Sequence, residues 1–259
     1  MTAESSRSLK ASVEAAFSQV AENYSTSLVH ATGSEFMQML QVAGLTGNER
    51  VLDAGCGAGH TALAFAPHVR EVVALDLSEA MLGQVQRLAT MQGVGNITLR
   101  QGDVETLPFG DREFDVVVSR YSAHHWPAPR RALHEIKRVL KRRGQFILAD
   151  IVSFDAFTVD TYIQAIELLR DPSHVRDHTV AQWLSMLSSA GFSSELVYEW
   201  PVRLDFTSWV ERMATPPASV AMIRTLMDGA PDEVRSAIQI EEDHSFTFRG
   251  AVLRGVQGS

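Results

Sequence analysis

The stretch Val51-Leu52-Asp53-Ala54-Gly55-Cys56-Gly57-Ala58-Gly59-His60 decides how this chain of 259 residues is read. A short apolar run ends in an acid and then in glycines at alternate positions. Glycine has no Cβ, so such a loop turns sharply after a strand and lets a ligand lie directly on its backbone. A tight strand-to-helix turn that needs small residues is the plainer explanation of the same pattern. A dinucleotide loop wants Gly-x-Gly-x-x-Gly, which brings a pyrophosphate onto a helix N-terminus. Here Gly59 comes one residue early and His60 holds the expected place. Asp53, two residues before Gly55, would repel a pyrophosphate and attract a cation.

Outward from the loop, short apolar runs alternate with helical stripes. Glu71–Asp76, Asn96–Arg100, Phe114–Ser119 and Gln145–Asp150 read as further strands. Thr61 to His68, the stripe Met81, Val85 and Leu88, and the stripe Leu133, Ile136, Val139 and Leu140 read as helices. The basic run from Lys137 to Arg143 suits the last turn of the latter helix, with Gly144 ending it. This alternation predicts an α/β fold: a three-layer, doubly wound, mainly parallel sheet with helical lid insertions. Ligands of such sheets bind beyond the carboxyl ends of the strands, so the residues after Leu52, Leu75, Arg100, Val118 and Ala149 are the ones to inspect. A sixth strand is expected at 192–200 and a closing strand near 245–254. The expected organisation is one domain over 1–259. It comprises an N-terminal helical cap (1–45), a cofactor-binding core (46–154), helical lid elements around the sixth strand (155–243) and the closing strand (244–259).

Composition bounds the function. There are 23 Lys and Arg against 31 Asp and Glu, a formal charge of −8, so the basic surplus that polyanion binding requires is missing and no nucleic-acid partner is expected. Apolar residues at 45% and charged residues at 21% are ordinary for a soluble globular protein. No uninterrupted apolar stretch is long enough to span a membrane, and the N-terminus has no signal-peptide core, so a cytoplasmic protein with no membrane association is expected. Cys56 is the single cysteine, which rules out an intramolecular disulfide and a cysteine-rich metal site.

The chain resembles the class I S-adenosylmethionine-dependent methyltransferases. The match is carried by the Asp-x-Gly-x-Gly-x-Gly loop at Asp53 to Gly59, Asp76 at the end of the second strand, Gly102-Asp103-Val104-Glu105-Thr106-Leu107-Pro108-Phe109, Phe114-Asp115-Val116-Val117 and His134-Glu135-Ile136-Lys137-Arg138-Val139-Leu140-Lys141. This set is similar to the ubiquinone/menaquinone-biosynthesis branch. His60-Thr61-Ala62-Leu63-Ala64-Phe65, His124-His125 and Leu169-Arg170-Asp171-Pro172-Ser173-His174-Val175-Arg176 further resemble YcgJ-like bacterial proteins. S-adenosylmethionine carries an ammonium and a sulfonium and no phosphate, which agrees with the acid before the loop. The resemblance implies that Asp53 lies near the methionine ammonium and that Gly55 and Gly57 make room for methionine and ribose. It further implies that Asp76 takes the ribose hydroxyls, Leu77 and Met81 flank the adenine, Asp103 and Val104 receive it, and Ser119 lies beside the sulfonium. Tyr24, in Phe17-x-x-x-Ala21-x-x-Tyr24, either closes over the cofactor or caps the core.

The implied reaction moves a methyl group to an O, N or C atom of a small-molecule acceptor, often in biosynthesis, and releases S-adenosylhomocysteine. The loop Arg120-Tyr121-Ser122-Ala123-His124-His125-Trp126 after the fourth strand is the place for the acceptor. An unperturbed imidazole titrates near neutrality, so His124 or His125 is a candidate base, and either also serves simply as a pocket wall. Tyr121 joins His124 as a candidate acceptor contact. Arg170, His174 and Arg176 form a second candidate cluster, or else a salt-bridged helix end with Asp171 and Asp177. No third ligand accompanies the paired histidines at metal spacing, so no metal is expected. A monomer or homodimer fits. The rival readings are an NAD-dependent oxidoreductase with an atypical glycine loop and a non-catalytic cofactor-binding homologue.

Overall fold

Runs of β-branched residues make strands, and apolar stripes three and four residues apart make the helices that cover them. In the computed structural model, which describes residues 10–15, 17–18 and 33–258, the runs form one seven-stranded sheet. Its strands are β1 (Arg50–Ala54), β2 (Glu71–Asp76), β3 (Ile97–Gln101), β4 (Phe114–Arg120), β5 (Leu140–Val152), β6 (Phe192–Leu204) and β7 (Phe246–Gln257). The spatial order is β3-β2-β1-β4-β5-β7-β6. β1 to β5 pair in parallel, and β7 inserts antiparallel between β5 and β6. The direction of winding reverses between β1 and β4, which opens a crevice at their carboxyl ends.

The helices are α1 (Ser34–Ala43), α2 (His60–Phe65), α3 (Glu79–Gln92), α4 (Pro129–Val139), α5 (Phe157–Arg170), α6 (Val180–Ser189), α7 (Phe206–Arg212), α8 (Pro217–Asp228) and α9 (Asp232–Ala237). Residues 10–15 and 17–18 are helical as well. Successive strand residues face opposite sides of the sheet. Val51, Val72, Val116 and Ile147 therefore feed one core. Leu52, Val73, Val117 and Phe146 feed the other. Both faces are buried, which is why the central strands read as continuous apolar runs.

The structure departs from the sequence expectation in three places. Helix α4 ends at Val139, not at Gly144, because Leu140 turns extended (φ −72, ψ 138) and pairs with Phe114. Lys141–Arg143 thus belongs to the start of β5, where the Lys141 ammonium meets Asp115 at 2.8 Å. Helix α1, inside the expected N-terminal cap, buries Phe36, Met39 and Ala43 against β5, β6 and β7. It is pinned there by the buried Glu35–Arg120 ion pair (2.5 Å). Helix α6, inside the expected lid, puts Trp183, Met186 and Leu187 into the same core as Leu133 and Ile136, so it flanks the sheet. α8 and α9 each pack on α5, and α5 and α7 contribute Arg170 and Trp209 to a cavity at the strand ends.

Candidate active site

The glycine loop leaves β1 with Gly55, Gly57 and Gly59 at φ 76, 51 and 90, the left-handed region that glycine adopts without strain. Two of them answer to close neighbours. A Cβ on Gly55 would lie 2.0 Å from the Ser122 hydroxyl, and one on Gly59 would lie 2.7 Å from Val85 of α3. The amides of Gly55 and Cys56 both donate to the Leu75 carbonyl at 2.9 Å, which ties the loop to the end of β2.

Asp76 stands at that end. Its carboxylate accepts from the amides of Gly57 and Ser78, both at 2.9 Å, while the Ser78 hydroxyl caps α3 by accepting from Met81 N at 3.2 Å. Burial raises the Asp76 carboxyl above its usual value. Asp53 lies beneath the loop, 1% exposed. Neither of its oxygens has a hydrogen-bond partner among the described residues. Burial, helped by the Asp76 charge, pushes it up to about 7 against the opposing pull of Arg120. A buried, unpartnered carboxylate is costly unless a cation or donor arrives to meet it.

A cavity runs along these strand ends, with Gly55, Asp76, Leu77, Met81, Asp103 and Val104 in its wall. Gly57 and Ser119 stand back from it. Gly57 acts through its amide, and the buried Ser119 hydroxyl donates to the Ala54 carbonyl at 2.7 Å. Sequence reasoning missed Lys10. The helical residues 10–15 and 17–18 lie across the cavity, with Lys10, Val13 and Phe17 in its lining. Lys10 donates to Asp103 (2.6 Å) and Glu105 (2.5 Å). No motif announces such a lysine. Tyr24 lies outside the described residues.

A second cavity lies beneath α5 and α7. Phe17, Tyr121 and His125 line both cavities and form the partition between them. Tyr121 adopts a left-handed backbone (φ 50), which turns the chain after β4 into that partition. The Phe17 ring meets His125 edge-on with centroids 4.8 Å apart.

His124 lines only the second cavity. Its Nδ1 lies 2.7 Å from Asp150 Oδ1, and Asp150 is fixed by accepting from the amides of Ala123 and Ile151, each at 2.8 Å. Burial alone would depress the His124 imidazole, but Asp150 outweighs it and raises it to about 9. Burial and the neighbouring His124 charge lower His125 to about 4. Asp150 carried a legible signal: it is the acid at the carboxyl end of β5, one of the positions the fold singles out.

The second candidate cluster separates. Arg170 lines the second cavity, with Nε donating to the Trp209 carbonyl at 3.0 Å and Nη1 3.6 Å from Glu167. His174 is buried behind the wall, with Nε2 3.1 Å from Gln164 Oε1. Arg176 turns away to pair with Asp160 at 2.6 Å. Among the described residues no group of His, Cys, Asp and Glu is arranged to hold a metal ion, and no helix is long and apolar enough to cross a membrane.

The same architecture occurs in known proteins. Residues 52–148 match a family described as a methyltransferase domain. The chain is 35% identical to the uncharacterized methyltransferase YcgJ of Bacillus subtilis, over 94% of this chain and 98% of that one. The YcgJ crystal structure superposes with a TM-score of 0.83 over 86% of this chain and 98% of its own. The uncharacterized protein YafE of Escherichia coli is 41% identical over 75% of this chain and 94% of its own length. A demethylmenaquinone methyltransferase of Clavibacter sepedonicus is 30% identical over 62% of this chain and 63% of its own. S-adenosylmethionine fits the residues present, because the unpartnered Asp53 carboxylate and the cavity-wall Asp76 and Asp103 suit a cation rather than a pyrophosphate. The chain therefore belongs to the class I S-adenosylmethionine-dependent methyltransferases, in the YcgJ-like group of the ubiquinone/menaquinone-biosynthesis-like branch.

Proposed function

We propose that the protein methylates an O, N or C atom of a small molecule held in the second cavity, with the cofactor in the first. The observation that carries this reading is the shared partition of Phe17, Tyr121 and His125, which brings two adjoining cavities against one wall. Asp76 and Asp103 offer carboxylate oxygens to the ribose hydroxyls and the adenine amino group, Leu77, Met81 and Val104 hold the ring, and Asp53 balances the ammonium from below. Gly55 and Gly57 leave room for the chain, and Ser119 fixes the β1–β4 junction beneath it. When bound, S-adenosylmethionine supplies an electrophilic methyl group, so positioning and the exclusion of water account for much of the catalysis.

Tyr121 and Arg170 shape the acceptor's chamber, while His174 and Arg176 act at one remove by fixing its wall. His125 stays neutral and orients the acceptor at the partition. His124, steadied by Asp150, takes a proton from the acceptor where one must leave. With its imidazole raised to about 9 it is protonated at neutral pH, so the fraction able to act as base grows up to that pH. The acceptor is identified by incubating the protein with isotope-labelled cofactor and host metabolite extract and reading labelled products by mass spectrometry. With that acceptor, the chemical step should accelerate about tenfold per pH unit from 6 toward 9, and His124→Gln should be slow and flat over the same range. A flat wild-type profile removes His124 as base. Labelled macromolecule with no labelled metabolite removes the small-molecule reading.

A further inference from the structure

We propose that Asp177 anchors the acceptor by taking a hydrogen bond from it, so that the acceptor is a small compound with an apolar body and an amine or hydroxyl group. This rests on the second cavity being the acceptor's. Asp177 lines that cavity and is 2% exposed, yet its Oδ2 has no hydrogen-bond partner among the described residues. The cations around it are engaged elsewhere. His124 is held by Asp150. Arg170 faces Glu167, which also feels the charge of Arg212. Arg176, next in the chain, pairs with Asp160. His174 Nε2 is 4.0 Å away and already directed at Gln164 Oε1, and burial keeps that imidazole neutral.

Asp177 is also held rigidly. Its amide donates to Gln164 Oε1 at 3.1 Å, and its carbonyl accepts from Gln164 Nε2 at 2.8 Å, so α5 clamps the backbone on both sides. Burial and the nearby His124 charge act oppositely on the carboxyl, and the net effect is a carboxyl raised well above the usual range. What the site lacks is a donor at the unpartnered Oδ2, which a ligand amine or hydroxyl supplies, and an ammonium there also favours the ionised carboxylate. Ile151, Val202, Leu204 and Trp209 line the same cavity and provide apolar surface for the rest of the molecule.

The test uses the full chain saturated with S-adenosylhomocysteine and four probes of similar shape: benzylamine, benzyl alcohol, toluene and benzoate. Their binding is measured by ligand-observed NMR titration. The expected result is that benzylamine and benzyl alcohol bind more tightly than toluene and benzoate. Asp177→Asn should weaken benzylamine about tenfold or more, with S-adenosylhomocysteine affinity unchanged as the control for folding. The proposal is overturned if toluene or benzoate binds as well as the donor-bearing probes, if neither donor-bearing probe binds, or if Asp177→Asn leaves benzylamine unaffected. The wild-type ranking alone decides the matter should the variant fail to fold. Failure of S-adenosylhomocysteine to bind the wild type would instead sink the underlying methyltransferase site.

Discussion

Asp53 shows how a single side chain can cost stability in order to bind. An ordinary aspartate titrates near 4. In the fold this one is pushed to about 7, so the folded protein holds a proton that the unfolded chain has lost. Folding stability contributed by this site is greatest below pH 4, declines as pH rises through 7, and stays low above it. Asp53→Asn removes the ionisable group without changing its shape. The variant should therefore melt a few degrees higher than the wild type at pH 8, corresponding to about 1 kcal/mol or more, and no higher at pH 4. Its affinity for S-adenosylmethionine should fall and lose pH dependence, whereas wild-type affinity should rise between pH 6 and 8 as the carboxylate ionises. Calorimetry of both proteins at pH 4 and 8, with binding titrations between, checks the pair of effects. Equal melting differences at the two pH values would show that Asp53 is not the proton-holding group. The sequence made Asp53 visible because its neighbours are glycines with one structural purpose. Asp177 was legible only as a member of a charged run, since nothing in Asp171 to Asp177 tells which acids find partners.

At the scale of elements, the helical residues 10–15 and 17–18 join the two cavities. Lys10 grips Asp103 and Glu105 at one end, the Ser18 and Ser78 hydroxyls meet at 2.8 Å, and Phe17 abuts His125 at the partition. The segment is therefore a roof whose opening would free the cofactor. The Lys10 side chain is 31% exposed, so the interaction is screened and worth up to about 1 kcal/mol. Lys10→Met should raise the dissociation rate of S-adenosylhomocysteine about two- to fivefold, and added salt should narrow the difference from wild type. Stopped-flow displacement measures both. An unchanged rate would mean that the segment opens independently of the lysine. The elements most readable in the sequence were β1, β2 and β4, because burial on both faces forces continuous apolar runs. The boundary after α4 misled. A basic run there is equally compatible with a last helical turn and with the start of a strand, and only the pairing of Leu140 with Phe114 decides it. The role of α6 was misread for a related reason: its stripe of Trp183, Met186 and Leu187 shows that it packs, not what it packs against.

At the scale of the molecule, the first cavity draws on the loops after β1 to β4 and on Lys10, Val13, Glu14 and Phe17, so a ligand there ties distant parts of the chain into one cooperative unit. Binding to the folded state alone stabilises it by RT ln(1 + [L]/Kd), about 2.7 kcal/mol when the ligand stands at a hundred times its dissociation constant. For a chain of this size that corresponds to an increase in Tm of about 5–10 °C. S-adenosylhomocysteine should produce a shift of this order. NADH at equal concentration should produce none, because its pyrophosphate would face Asp76 and Asp103 in the wall and Asp53 beneath the loop, and a formal charge of −8 adds a repulsive background. A non-catalytic homologue would show the same shift with S-adenosylhomocysteine, so the melting experiment separates cofactor class, and the labelled-methyl experiment separates catalysis from binding. Stabilisation by NADH at that concentration would mean that the acids around the loop face away from the ligand, and the assignment of Asp53, Asp76 and Asp103 to a cationic cofactor would fall with it.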